Sequence, residues 1–187
     1  MSDVLLGQAY YLRLDPKLWR AQQPYPPLGT LYAAAYLREQ GPTVALFDAM
    51  LAETVDDWHT TLARARPRVA VIYEDSFNYL SKMCLLRMRE SALAMVDAAR
   101  AARCPVVVSG SDATDHPDLY LSRGASVVVL GEGEITMAEL AVRLLAGEPA
   151  VGVPGTAWCD AQGVVHRGPA RPFIRSLDDL PRPAWDL

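Results

Sequence analysis

The sequence predicts an α/β fold. It is a doubly wound, five-stranded parallel sheet of the flavodoxin-like (Rossmann-like) kind, strand order 2-1-3-4-5, with a C-terminal β-hairpin and a linker. Three observations carry that prediction. First, short β-branched runs without polar alternation, Val106–Val108 and Val127–Leu130 most plainly, suit strands covered on both faces. Second, such runs alternate with stretches of helical periodicity along most of the chain. Third, the runs stop abruptly at small or charged residues, as at Ser109-Gly110-Ser111-Asp112 and Gly131-Glu132-Gly133-Glu134. In an open parallel sheet those stops are carboxyl ends of strands, where ligands bind. Right-handed crossovers leave few topologies, and 2-1-3-4-5 is a common one, with its switch point between strands one and three.

In chain order, Val4–Leu12 reads as the first strand. Leu14–Pro27 reads as a loop, because Pro24, Pro26 and Pro27 argue against a helix there. Leu28, Leu31, Tyr32 and Ala35 then fall at helical spacing, and Gly41 suits the helix end. Thr43–Asp48 is a second strand. Thr54-Val55-Asp56-Asp57 resembles a capping box with Asp in place of Glu, ahead of a face made by Val55, Trp58 and Leu62. Arg68–Tyr73 is the third strand, with Glu74-Asp75-Ser76 at its polar end. A long helix spans about Asn78 to Ala102, with Leu80, Met83, Cys84 and Met88 on one face. Pro105 opens the fourth strand, His116-Pro117 opens a short helix to about Ser122, and Val127–Leu130 is the fifth strand. Thr136-Met137-Ala138-Glu139 has the capping-box pattern, and Met137, Leu140, Ala141, Leu144 and Leu145 form the cleanest amphipathic stripe. Gly152–Arg167 reads as a hairpin turning at Asp160–Gly163, and Pro172–Leu187 has the composition of a linker. The expected division is a ligand-binding α/β domain over residues 1–150 and a hairpin plus linker over 151–187.

Composition narrows the function. The chain has 187 residues, 51% hydrophobic and 21% charged, so wholesale disorder is not expected. A net charge of −4 argues against a nucleic-acid partner. No apolar run approaches the roughly 18 residues of a membrane helix, and the N-terminus lacks a basic secretory n-region. Cys84, Cys104 and Cys159 show no C-x-x-C spacing, which disfavours a zinc site and fits a reducing, cytoplasmic compartment. His59, His116 and His166 are scattered without metal-ligand spacing, and no G-x-S-x-G elbow occurs. Gly131-Glu132-Gly133-Glu134 lacks the third glycine of a nucleotide fingerprint, since Thr136 stands there, and its carboxylates would repel a pyrophosphate. No self-contained catalytic set is visible. The loops expected to face a ligand are 14–28, 74–78, 109–115 and 131–134.

Several of these stretches, taken in order, carry a resemblance. They are Pro26-Pro27-Leu28-Gly29, Ala34 to Gly41, Leu46-Phe47-Asp48-Ala49, Val108-Ser109-Gly110-Ser111, Gly131–Glu134 ahead of an amphipathic helix, and Asp178 to Trp185. Together they resemble the N-terminal cobalamin (B12)-binding domain of the B12-dependent radical SAM enzymes, over essentially the whole chain. The resemblance implies cobalamin over the carboxyl edge of the sheet, its nucleotide tail against the turns after strands three and four. The cofactor-binding residues it implies are Tyr25, Pro27, Leu28 and Gly29; Glu74, Asp75 and Ser76; Ser109, Gly110, Ser111 and Asp112; and Gly131, Glu132 and Gly133. The family usually has Gly-Gly where this chain has Gly110-Ser111. The cobalt-ligating D-x-H-x-x-G motif is absent, and no His lies between Asp15 and Gly29. This implies base-off binding without a protein ligand, with Tyr25, Pro27 or Leu28 toward the lower face of the ring.

Family enzymes continue from a Leu-Pro-x-Pro-Ala-Trp-Asp segment into a barrel whose C-x-x-x-C-x-x-C motif holds a [4Fe–4S] cluster and S-adenosylmethionine. The three cysteines here cannot form that motif. The resemblance therefore implies a domain that works with a radical SAM barrel, in cis or in trans. It is not catalytic alone, and serves a complete enzyme such as a methyltransferase. A receiver-like or flavodoxin-like domain of the same topology is the alternative, although the loop after the first strand lacks both paired acids and a Ser/Thr-rich phosphate loop. An enzyme using Glu132 and Glu134 as acid and base is a third reading, with nothing else converging on them.

Overall fold

A computed structural model describes residues 2–74 and 85–187. The strands are β1 (Val4–Gly7), β2 (Val44–Phe47), β3 (Val69–Glu74), β4 (Val106–Gly110), β5 (Val127–Val129), β6 (Thr156–Cys159) and β7 (Val165–Arg167). The α-helices are α1 (Pro16–Ala21), α2 (Leu28–Glu39), α3 (Val55–Ala65), α4 (Leu85–Ala101), α5 (Ser111–Asp115), α6 (Pro117–Arg123) and α7 (Glu134–Leu145). They build one sheet of order β2-β1-β3-β4-β5-β6-β7. The first five strands run parallel in the expected 2-1-3-4-5 order.

The parallel strands alternate cleanly between two cores. Val4, Leu6, Val69, Val71, Val107, Val127 and Val129 face α2 and α7, against Ala34, Leu37, Met137 and Leu140. Leu5, Ala70, Ile72, Val106, Val108 and Val128 face the opposite layer, against Trp58, Met88, Met95, Val96 and Tyr120. A strand that must bury both faces cannot alternate apolar with polar, which is why these runs are continuous in sequence. Trp58 shows how tightly the second layer closes. Its ring meets Phe47 edge-on at 5.2 Å, and its indole Nε1 donates to the Met95 carbonyl at 3.1 Å. A Cβ on Gly7 would lie 2.9 Å from that ring.

Beyond ending the first strand at Gly7 rather than Leu12 and placing α5 within the loop expected at 109–115, the structure changes three expectations. The sheet has seven strands rather than five, because the hairpin joins it: β6 pairs antiparallel with β5, and β7 with β6. The stretch read as a loop contains α1, preceded by a short 3-10 turn at Leu12–Leu14. The Asp15 carboxylate accepts from the Lys17 and Leu18 amides at 2.9 and 3.0 Å, and Pro16 opens the helix where its missing N–H costs nothing. The prolines that argued against a helix all follow it. Third, Thr136 caps nothing. Helix α7 starts at Glu134, which leaves Thr136 fully buried within its first turn. The Thr54–Asp57 capping box forms as expected. The long helix is described from Leu85, so Leu80, Met83 and Cys84 lie outside the described residues.

The chain end folds back on the domain. The Ala184 amide donates to the Leu31 carbonyl at 3.2 Å, and Arg38 pairs with Asp186 at 2.8 Å.

Candidate functional site

The carboxyl ends of β3, β4 and β5 enclose a cleft of about 480 Å³. Its walls are Tyr73 and Glu74 from β3, Ser109, Gly110 and Ser111 after β4, Thr114 and Asp115 from α5, and Gly131 to Glu134 after β5. That volume is in the range of small-molecule sites, which run roughly 300–1,000 Å³.

Small residues are required here by contact. Gly110 pairs in register with Glu74, at a φ of +147°. A Cβ there would lie 2.5 Å from the Glu74 carbonyl oxygen. At Gly133 a Cβ would lie 2.5 Å from the Ser109 hydroxyl oxygen and 2.7 Å from the Tyr73 ring. Gly131 differs: its φ is +82°, and a Cβ would meet nothing within 4 Å, so the cleft is open at that point. Thr114 ties two walls together. Its hydroxyl donates to the Gly110 carbonyl at 2.9 Å and accepts from the Gly131 amide at 3.1 Å.

Beside the cleft, polar side chains fasten the edge loop that leaves β1. Glu74, 2% exposed, accepts from the Ala9 amide at 2.5 Å. Gln8 donates to Asp48 at 3.1 Å and accepts from the Tyr10 amide. Tyr10 donates its hydroxyl to Asp15 at 2.5 Å, and its ring lies 6.1 Å from that of Tyr25. Burial pushes the Asp15 carboxyl up, but the bonds from Tyr10, Leu18 and Lys17 outweigh it and hold it below the ordinary value. Thr30 donates to the Tyr73 carbonyl at 3.1 Å, which pins the start of α2 to the end of β3.

The expected residues divide as follows. Glu74, Ser109, Gly110, Ser111, Gly131, Glu132 and Gly133 line the one cleft. Tyr25, Pro27, Leu28 and Gly29 do not line it; they sit at the start of α2, on the β1 side of the same edge, with Pro27 buried and Leu28 exposed. The Asp112 carboxylate is buried and taken by other partners. Arg89 grips it through two nitrogens, and Tyr120 donates to it at 2.7 Å. Burial raises its carboxyl, and the Arg89 and Tyr120 bonds bring it below the ordinary value. Glu132 accepts from the Ile174 amide at 2.8 Å. Asp75 and Ser76 lie outside the described residues. Thr114, Asp115 and Glu134 lie in the loops expected to face a ligand without being singled out as cofactor-binding, and Tyr73 is a wall outside those loops. For Thr114 a signal existed, since it stands one helical turn after the Gly110–Ser111 turn.

The cleft offers backbone, hydroxyl and carboxylate acceptors, with open space at Gly131. Among the described residues no group of three or more His, Cys, Asp or Glu could hold a metal ion. A corrinoid suits such a site: its rim carries carboxamide N–H donors for these acceptors, and its nucleotide tail is slim enough for a small-residue slot.

In a doubly wound domain, ligands bind in the crevice at the carboxyl ends of the strands, where this cleft lies. Residues 18–141 match the B12 binding domain model, and the chain belongs to that family, whose ligand is cobalamin. "Uncharacterized methyltransferase PH0819" of Pyrococcus horikoshii is 28% identical over 165 residues, which cover 87% of this chain and 34% of that protein. The cobalamin-dependent S-adenosylmethionine radical enzyme OxsB, with aqua-cobalamin and S-adenosylmethionine bound, superposes with a TM-score of 0.72 at 20% identity. That match covers 100% of this chain and 24% of OxsB. The radical S-adenosylmethionine methyltransferase TsrM from Kitasatospora setae, with cobalamin and a [4Fe-4S] cluster bound, gives 0.67 at 21% identity, over 97% of this chain and 31% of TsrM. The structural likeness establishes the fold, and the chain spans about a third or less of each of these proteins.

Proposed function

We propose that this chain is the cobalamin-holding domain of a B12-dependent radical SAM enzyme, a methyltransferase in particular. The observation that carries the reading is the small-residue cleft between β3, β4 and β5, inside the stretch that matches the B12-binding family. Ser109, Gly110, Ser111, Gly131 and Gly133 hold the nucleotide tail; Tyr25, Pro27, Leu28 and Gly29 stand toward the ring. When bound, cobalamin supplies a cobalt centre able to carry a methyl group. The chain's own residues orient the cofactor and exclude water from its tail; none of them moves a proton in the reaction.

The [4Fe–4S] cluster and S-adenosylmethionine belong to a radical SAM barrel. Cis attachment is favoured because OxsB and TsrM are each far longer than the part this chain covers. Residues 1–150 form the cofactor-binding part, and 151–187 complete the sheet edge and lead toward that barrel. No described helix is long and apolar enough to cross a membrane. The unpaired cysteine spacing supports a reducing, cytoplasmic setting.

Titration of the chain with hydroxocobalamin, followed by gel filtration and a visible spectrum, tests this. Co-elution of the corrinoid with a base-off spectrum is expected. Failure to retain it at saturating concentration overturns the reading, as would retention unaffected by bulky replacements at Ser109, Gly110 and Ser111.

A further inference from the structure

A buried polar cluster stands behind the cleft. Asp112 is 5% exposed, and three helices meet on its carboxylate. Arg89 of α4 binds both oxygens, with Nε at 2.9 Å from Oδ2, and Tyr120 of α6 donates to that same oxygen at 2.7 Å. Asp112 itself belongs to α5, the helix whose Ser111, Thr114 and Asp115 form a wall of the cleft. One face of α5 is therefore the lip of the cleft, and the other is clamped.

The end of β4 anchors the start of α5, since Gly110 pairs with Glu74 in the sheet, and the clamp fixes the direction the helix then takes. The residue before Ser111 is Gly110, at a φ of +147°, the freest backbone available. Side-chain contacts then hold α5: Ala113 buried in the core, Thr114 across the mouth to Gly131, and the Asp112 pair behind. Of these the two-pronged guanidinium fork constrains orientation most strongly.

We infer that Asp112, through Arg89 and Tyr120, sets the width of the cleft and so makes the site selective for corrinoids that carry a nucleotide tail. Asp112 is a positioning residue: it touches no ligand. The inference rests on the reading above, that the tail occupies this cleft. A cluster that merely stabilised the fold would affect every corrinoid alike. One that shapes the tail slot affects only those with a tail.

The test compares binding of hydroxocobalamin with that of diaquocobinamide, which has the same ring and no nucleotide tail. The whole chain is used, as wild type and as Arg89→Lys, Tyr120→Phe and Asp112→Asn, with urea midpoints measured in parallel. Wild type binds hydroxocobalamin at least about tenfold tighter than diaquocobinamide. Arg89→Lys, which keeps the charge and loses the fork, weakens hydroxocobalamin about tenfold and leaves diaquocobinamide within about twofold. If Asp112→Asn does not fold, Arg89→Lys and Tyr120→Phe carry the comparison. Equal weakening of both corrinoids, or of neither, overturns the inference while cobalamin binding itself stands. Wild type that binds neither corrinoid overturns the underlying reading as well.

Discussion

Gly110 and Gly133 are the residues on which the cleft depends most directly. At Gly110, Ala would meet the Glu74 carbonyl at 2.5 Å and also occupy a backbone conformation that L-residues rarely adopt. Backbone is the obstacle, so nothing nearby can rotate away. Gly110→Ala should cost about 3 kcal/mol of stability and abolish corrinoid retention, read by urea unfolding and gel filtration. Gly133→Ala meets side chains that can give, so it should lose binding with a smaller loss of stability. Asp15 and Asp112 make a second residue-level prediction. Both carboxyls are held below the ordinary 3.8 in the folded chain. As pH falls below about 4, the unfolded chain takes up these protons first. Stability from both groups is thus complete above that pH and is lost as pH falls toward the depressed native values. Asp112→Asn should remove part of this acid dependence in unfolding curves measured from pH 7 to pH 3. Burial also pushes the Cys104 thiol up to about 11. It should resist alkylation at pH 8 until the chain is unfolded.

At the scale of elements, α1 is fixed at its start by Asp15, with Leu18 packed half-buried against the core. Asp15 caps its first turn and receives the Tyr10 hydroxyl, while none of the six helical residues is buried. Asp15→Ala removes the cap, at about 1 kcal/mol, together with the Tyr10–Asp15 hydrogen bond. Faster amide exchange confined to residues 8–22 is the expected result. The same helix shows where sequence reasoning fell short. Proline density over residues 24–27 was read back onto residues 16–21, where Asp15-Pro16 is itself a helix-start signal. Thr136 shows the opposite error. Its T-x-x-E spacing copies a capping box, yet the Gly131–Gly133 turn lets the helix begin earlier, and burial then takes the hydroxyl out of reach of any cap. Thr54 has the same kind of pattern at an exposed chain entry, and there the box forms. Local patterns were reliable where solvent left them undisturbed.

For the molecule as a whole, the parallel strand order was legible because β-branched runs buried on both faces leave a plain trace. The joining of the hairpin to β5 was not, since nothing in a short antiparallel segment names the edge it will extend. Much of the cleft wall was legible too, because strand ends close on small residues. The clamp behind it was not: Arg89 and Asp112 are far apart in sequence, and the packing of α4 against β4 and α6 brings them together. Likewise residues 172–174, which approach the site through the Glu132–Ile174 bond, read only as linker. These features converge on one claim, that the nucleotide tail of the cofactor lies between the ends of β3, β4 and β5. Amide hydrogen exchange with and without hydroxocobalamin tests it most directly. The account predicts slowed exchange at residues 109–114 and 131–134, with the amino-edge amides of the sheet unchanged. Protection confined to other surfaces, with these two turns exchanging as in the free chain, would contradict it.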